Sequence, residues 1–204
     1  MATVQKTKSA ITLKGSAEII CDYLNYGINS ILFQRGIYPP DTFQTVENYE
    51  LTMFMSTDKK IIEFLEKTLV QLKEWLVLKY VNKIALIITN VKSRETLERW
   101  DFKVEYEGDT SNGEVVSDKP LSTIKKEIRD VVRQITASVT YLPLLDCICS
   151  FDVQIYTKDN IELPEEWTES EPANIKNAQS VKMKAFSTKL HKMETVVTYK
   201  NTEL

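Results

Sequence analysis

The side chains from which catalysis and metal binding are usually built are scarce in this sequence. Its single histidine, His191, has no nucleophile beside it, so neither a Ser-His-Asp nor a Cys-His arrangement has a candidate. Its place near an expected strand turn gives it a solvent-exposed structural role. Cys147 and Cys149 put two sulfurs on one face of an expected strand, but a tetrahedral zinc site needs four ligands, and only Cys21 and His191 remain to complete one. They are read as small buried hydrophobes, and no metal is expected. Five glycines form neither GxxxxGKS/T nor GxGxxG, so no phosphate loop and no cofactor are expected. The 29 acidic residues lie on polar faces and in loops, and none nominates a catalytic pair. The residues point to a protein that binds rather than catalyses.

The elements that must carry such a binding function fit one domain of 204 residues with an apolar share of 43%. Net charge is −3 and no lysine or arginine run occurs, so neither nucleic acid nor a membrane surface is an expected partner. The start MATVQKTKSA has no apolar signal region, and no apolar run is long enough to span a bilayer. Three cysteines, an odd number, fit reduced thiols inside the cell.

Apolar residues at Leu13, Ala17, Ile20, Leu24, Ile28, Ile31 and Leu32 predict a helix that stops at Gly36, with Ser16 as its cap. FQTVENYELTMFMS predicts a hairpin turning at Glu47-Asn48. A second helix follows the Ser56-Thr57-Asp58 capping cluster, with Ile61, Leu65, Leu69, Leu72 and Leu76 inward. KIALIITNV is a central strand, and TLERWDFKVEY alternates, with Trp100, Phe102, Val104 and Tyr106 on one face. A loop over 108–118 precedes a third helix whose inward residues are Ile124, Ile128, Val131, Val132, Ile135, Val139 and Leu142, ended by Pro143. CICSFDVQIY is another strand. PEEWTESEPANIKNAQS (164–180) is a long polar tether, interrupted by Trp167, that leads to terminal strands. The sum is an α+β domain with three helices on a mostly antiparallel sheet.

Several of these stretches together resemble one family. GSAEII, YGINSILFQRGIYPPDTF, QLKEWL, LERWDF, EIRDVVRQITASVTYLPLLD, CSFDVQIYT and PEEW, in this order and spacing, are similar to the HORMA-domain proteins of the spindle assembly checkpoint. The similarity runs from about residue 11 to residue 199.

The resemblance implies an adaptor that switches between open and closed conformers and entraps an extended closure-motif peptide. It divides the chain into an arm (1–10), a HORMA core (11–156) and a mobile C-terminal safety belt (157–204) of the same domain. The peptide would add as a strand along Cys149, Ser150, Phe151, Asp152, Val153, Gln154, Ile155 and Tyr156, with Trp75 and Trp167 in the belt and its pocket. Arg133, Gln134, Thr140 and Tyr141 match a face for dimerisation of unlike conformers and for an antagonist protein that works with a remodelling ATPase. Leu13 matches a position whose packing differs between conformers, and Ser170 and Thr195 are candidate phosphoacceptors. Implied partners are the activator of the anaphase-promoting complex, a coiled-coil kinetochore receptor and other mitotic checkpoint complex subunits. Implied locations are the nucleus, the cytoplasm, unattached kinetochores and the mitotic spindle. The alternatives are another HORMA adaptor, serving a translesion polymerase or the meiotic axis, and, from a different class, a small hydrolase or transferase using acidic residues.

Overall fold

A computed structural model describes residues 10–107, 116–158, 161, 163–165 and 167–201. The expected arm up to residue 9, the first eight residues of the loop over 108–118 and the last three of the chain lie outside the described residues. Three helices, α1 (Leu13–Gln34), α2 (Lys59–Val77) and α3 (Leu121–Ala137), cover one face of a five-stranded sheet. The sheet is built from β3 (Val81–Asn90), β4 (Thr96–Tyr106), β5 (Cys149–Thr157), β6 (Ala178–Ser187) and β7 (His191–Lys200). Its order is β5-β3-β4-β7-β6, and every pairing is antiparallel. A separate hairpin, β1 (Phe43–Asn48) with β2 (Leu51–Ser56), packs on α1.

α1 is the central helix, touching α2, α3 and β2, and it buries Ile20, Tyr23, Leu24, Ile28 and Ile31 completely or nearly so. Tyr23 packs edge-on against Phe102 of β4 and Phe186 of β6, at 6.0 and 4.8 Å between ring centroids. A side chain of that size at the junction of helix and sheet carries several kcal/mol of core stability, on the order of 3–5 if truncated to alanine. The helix begins one turn earlier than its sequence suggests. Thr12, not Ser16, is the cap: its hydroxyl accepts from the Gly15 amide at 3.2 Å. Gly36 stops it at φ +62, a conformation that suits glycine. Asp58 caps α2 through the Lys60 amide.

Three local expectations need correction. The β1–β2 turn lies at Tyr49-Glu50, both left-handed at φ 50 and 57, because Asn48 pairs with Leu51 and only two residues remain between them. Val139, expected inward, is 41% exposed: after Ala137 the chain tightens to a 3₁₀ turn at 138–140, and the helical period is lost. His191, expected at the surface, is fully buried. Its Nδ1 lies 2.6 Å from the Ser16 hydroxyl, which in turn lies 2.6 Å from Thr188, so the ring ties the β6–β7 turn to the start of α1.

Candidate functional site

The two edges of the sheet are treated differently. At the β6 edge, side chains of α3 satisfy the outward backbone: Gln134 Oε1 accepts from the Lys184 amide at 2.6 Å, and Glu127 accepts from the Ser187 amide at 3.2 Å. Lys119 donates to the Ser187 carbonyl at 2.7 Å and lies within 2.7 Å of Glu127. These bonds take up the outward backbone at Lys184 and Ser187 and block strand addition along that part of the edge. Among the described residues, the β5 edge has no such cover. β5 pairs with β3 on one side and, among the described residues, with no strand on the other. Ile148, just before β5, accepts from Val91 on the β3 side. Strand alternation then turns the backbone groups of Phe151, Val153 and Ile155 outward. Consistent with that, the Val153 amide donates to its neighbour's carboxylate, Asp152 Oδ1, at 2.8 Å.

Alongside this edge runs an open groove of about 1160 Å³, walled by α2, β5 and the segment that follows β5. Phe64, Thr68, Gln71 and Trp75 come from α2, Asp152 to Tyr156 from β5, and Leu163, Pro164, Trp167 and Ser170 from the strap. The strap is the polar tether of the sequence. Its one aromatic side chain, Trp167, is half-buried against Trp75, with ring centroids 5.0 Å apart and planes at 58°. The Trp167 amide donates to the Pro164 carbonyl at 2.9 Å, forming a turn that aims the indole back toward α2.

Beyond Trp167 the chain passes to the sheet face away from the helices. There Gln154 Nε2 donates to the Glu171 carbonyl at 3.3 Å, and Arg99 Nη1 donates to the Ala173 carbonyl at 2.6 Å. Arg99 Nε is held at 3.0 Å by Asp101, which also pairs with Lys83 at 3.0 Å. Tyr156 donates to Gln154 at 3.1 Å and lies under the Lys83 ammonium, 3.9 Å from its ring centroid. The strap is thus fixed to α2 on one side of the β5 edge and to the far face of the sheet on the other. Between them lies the groove. A β-strand added there would find unpaired backbone donors and acceptors on one side and alternate side-chain pockets above and below.

Of the other expected site residues, Arg133, Thr140 and Tyr141 lie exposed at and beyond the end of α3, with Tyr141 44% exposed. The Tyr141 phenol is pushed up by partial burial and by Tyr199 nearby. Thr140 spends its hydroxyl on the Ala137 carbonyl, and Gln134 is committed to β6. Leu13 is the first, half-buried residue of α1. Ser170 is exposed on the rim of the groove. Thr195 must be corrected as a phosphoacceptor: it is 1% exposed and shares its hydroxyl with Tyr23 at 2.7 Å, so a kinase has no access to it in the folded chain. The Cys147 and Cys149 sulfurs are 3.7 Å apart, and burial pushes the Cys149 thiol up to about 12. Among the described residues no cluster of three or more potential metal ligands forms. No helix there is long and apolar enough to cross a membrane.

Arg99, Asp101 and Lys83 were not singled out from sequence. Alternation along TLERWDFKVEY assigns Asp101 to the polar face, but nothing local marks that face as the seat of the strap.

The profile of the HORMA domain matches residues 16–191. Human mitotic spindle assembly checkpoint protein MAD2A is 44% identical over 200 residues, which cover 98% of both chains. A chain in the crystal structure of the mitotic checkpoint complex superposes with a TM-score of 0.84 at 37% identity, covering 92% of this chain and 99% of that one. The Caenorhabditis elegans protein HTP-2, solved with a HIM-3 closure motif, shares the fold at a TM-score of 0.76 and 13% identity, covering 98% of this chain and 99% of its own. A groove with a bare strand on one wall, a strap fastened across it, and relatives that match from end to end lead to one assignment: the chain belongs to the HORMA-domain family, in its mitotic spindle checkpoint branch.

Proposed function

We infer that the chain is a spindle assembly checkpoint adaptor that entraps a closure-motif peptide against β5, under the strap. The observation that carries this reading is the asymmetry of the sheet. The C-terminal hairpin β6–β7 sits at the edge opposite β5, capped by α3, and leaves β5 free beneath a strap fixed at both sides. This is the closed arrangement. In the open one, residues 157–204 would leave β4 and occupy the β5 edge themselves, so the peptide and the hairpin compete for one set of backbone groups. Two packings that exchange roughly equal numbers of strand bonds need differ by only a few kcal/mol.

The peptide donors in this reading are the activator of the anaphase-promoting complex and a coiled-coil kinetochore receptor, within assemblies that include other mitotic checkpoint complex subunits. Holding the activator delays anaphase. Arg133, Thr140 and Tyr141 supply the face on which a second copy in the other conformer docks, and on which an antagonist and its remodelling ATPase act. Gln134 joins that face when β6 leaves it. The protein acts by binding, without catalysis of its own, in the nucleus and cytoplasm and at unattached kinetochores and the spindle in mitosis. Affinity purification from dividing cells tests the reading: the activator and the receptor should be recovered. Recovery of a DNA polymerase or of meiotic axis proteins instead would assign the chain to another HORMA pathway.

A further inference from the structure

The strap meets the far face of the sheet at two of its own carbonyls, those of Glu171 and Ala173, and the stronger of the two contacts is made by an arginine. Arg99 stands on β4 between Ile87 of β3 and Thr198 of β7, in the middle of the sheet and not at its rim. Its side chain is only 20% exposed. Asp101, two residues along the same face and 4% exposed, holds Nε and so fixes the plane of the guanidinium, while Nη1 reaches the Ala173 carbonyl at 2.6 Å. Lys83 balances the second oxygen of Asp101. An arginine oriented by a buried carboxylate loses little entropy when it donates, and a charge-assisted bond to a carbonyl is among the stronger hydrogen bonds a protein makes. The acceptor is main chain, so this fastening is independent of the strap's own side chains.

We propose that Arg99, held in place by Asp101, is the bolt of the belt: a positioning residue that keeps the strap across the groove and thereby sets how long a captured strand stays. The proposal rests on the peptide-entrapment reading above. Arg99 lies on the far face of the sheet and does not line the groove, so it touches the strap and not the captured chain. Its loss leaves the β5 edge and the groove walls intact. Exit requires the strap to lift, which breaks the Arg99–Ala173 bond. Entry from solution needs the same opening, so loss of the bolt quickens capture as well as release. The bolt therefore sets the residence time of the captured strand.

The test uses the full chain with Arg99→Gln, Arg99→Lys and Asp101→Asn, and two readouts. The first needs no ligand: trypsin cleavage after Lys176, an exposed residue at the end of the strap, followed by mass spectrometry under native conditions. Cleavage there requires local opening of the strap, so Arg99→Gln should accelerate it about tenfold, with Arg99→Lys and Asp101→Asn between it and the unaltered chain. The second is the dissociation of a fluorescein-labelled synthetic closure-motif peptide of the activator, chased with unlabelled peptide. Arg99→Gln should release it about tenfold faster, with association no slower than in the unaltered chain. Unchanged cleavage and unchanged release would overturn the proposal. So would a lowered urea midpoint with release unaltered, which is what a purely structural arginine gives. A labelled peptide that fails to bind the unaltered chain would refute entrapment, and the cleavage arm would still decide whether Arg99 fastens the strap.

Discussion

Replacing Trp167 by alanine probes the other fastening of the strap, on the α2 side. The indole is half-buried and tilted on Trp75, which is itself 5% exposed, so the pair forms a clasp with one half rooted in the core. A tryptophan hides about 150–250 Å² when fully buried; half of that, at about 25 cal/mol per Å², is worth roughly 2–3 kcal/mol. The aromatic geometry adds about 0.5–1.5 kcal/mol, and relaxation of the flexible strap onto other apolar surface takes a similar amount back. A net loss of about 2–3 kcal/mol, felt when the strap lifts, corresponds to a dissociation rate raised about 30- to 150-fold. Stopped-flow or chase anisotropy with the labelled closure-motif peptide measures it directly. Trp167→Phe should keep most of the contact and release the peptide only a few times faster. If Trp167→Ala released it at the original rate, the Trp75–Trp167 contact would have no part in retention. Truncation after Tyr156 is a poorer experiment. It deletes β6 and β7, two of the five sheet strands, and uncovers Phe102 and Trp100.

Four further outcomes are expected. Burial pushes His191 from an ordinary value of 6.5 down to about 4, so between these pH values the unfolded chain binds a proton that the folded one refuses. Stability therefore falls as pH drops through that window, by up to about 3 kcal/mol, and His191→Gln should flatten the thermal midpoint between pH 6.5 and 4.5; an identical pH profile would refute this. An acidophilic kinase acting on the folded chain should label Ser170, which lies between Glu169 and Glu171, and leave Thr195 untouched by mass spectrometry. Thr195→Val, which strands the Tyr23 hydroxyl, should cost about 1–2 kcal/mol in urea unfolding. Arg133→Ala should elute from a sizing column as a monomer while binding the labelled peptide unchanged; a persisting dimer would move the self-association face elsewhere.

Much of the architecture could be read from periodicity, and the misses have physical causes. The stripes of α1, α2 and α3 were legible because each helix buries one face against the same sheet. The third helix misled at Val139, where the Ser138 hydroxyl bonds back to the Ile135 carbonyl at 2.6 Å and the backbone tightens. The hairpin turn was invisible because Tyr49 and Glu50 are not residues that favour left-handed backbone. His191 looked exposed because its partner Ser16 is 175 residues away. Thr195 could have been found: Met193, Thr195 and Val197 alternate onto the face that meets the helices. Its neighbours in sequence suggested only a strand, and strands in isolation do not declare which face is wet. The strand Cys149 to Tyr156 was named from family likeness, since its sequence alone reads as an ordinary central strand. What sets it apart is an absence at its outer side, which only the sheet order reveals. The far-face group of Arg99, Asp101 and Lys83 was missed for a related reason: charges alternating with Trp100 and Phe102 look like a solvated face, and the strap that covers them comes from more than 70 residues away.

Strand addition at β5 is tested most directly at the Val153 amide. In the free chain this group donates to the Asp152 carboxylate, a partly buried local bond at the open edge. With the closure-motif peptide bound, it should bond to the peptide backbone beneath the strap, and amide exchange by NMR should slow at Phe151, Val153 and Ile155 by about two orders of magnitude or more. The even-numbered amides of β5, already paired with β3, should change much less. Saturating peptide that left Val153 exchanging at its free rate would mean the peptide binds elsewhere, and capture by strand addition at this edge would be wrong.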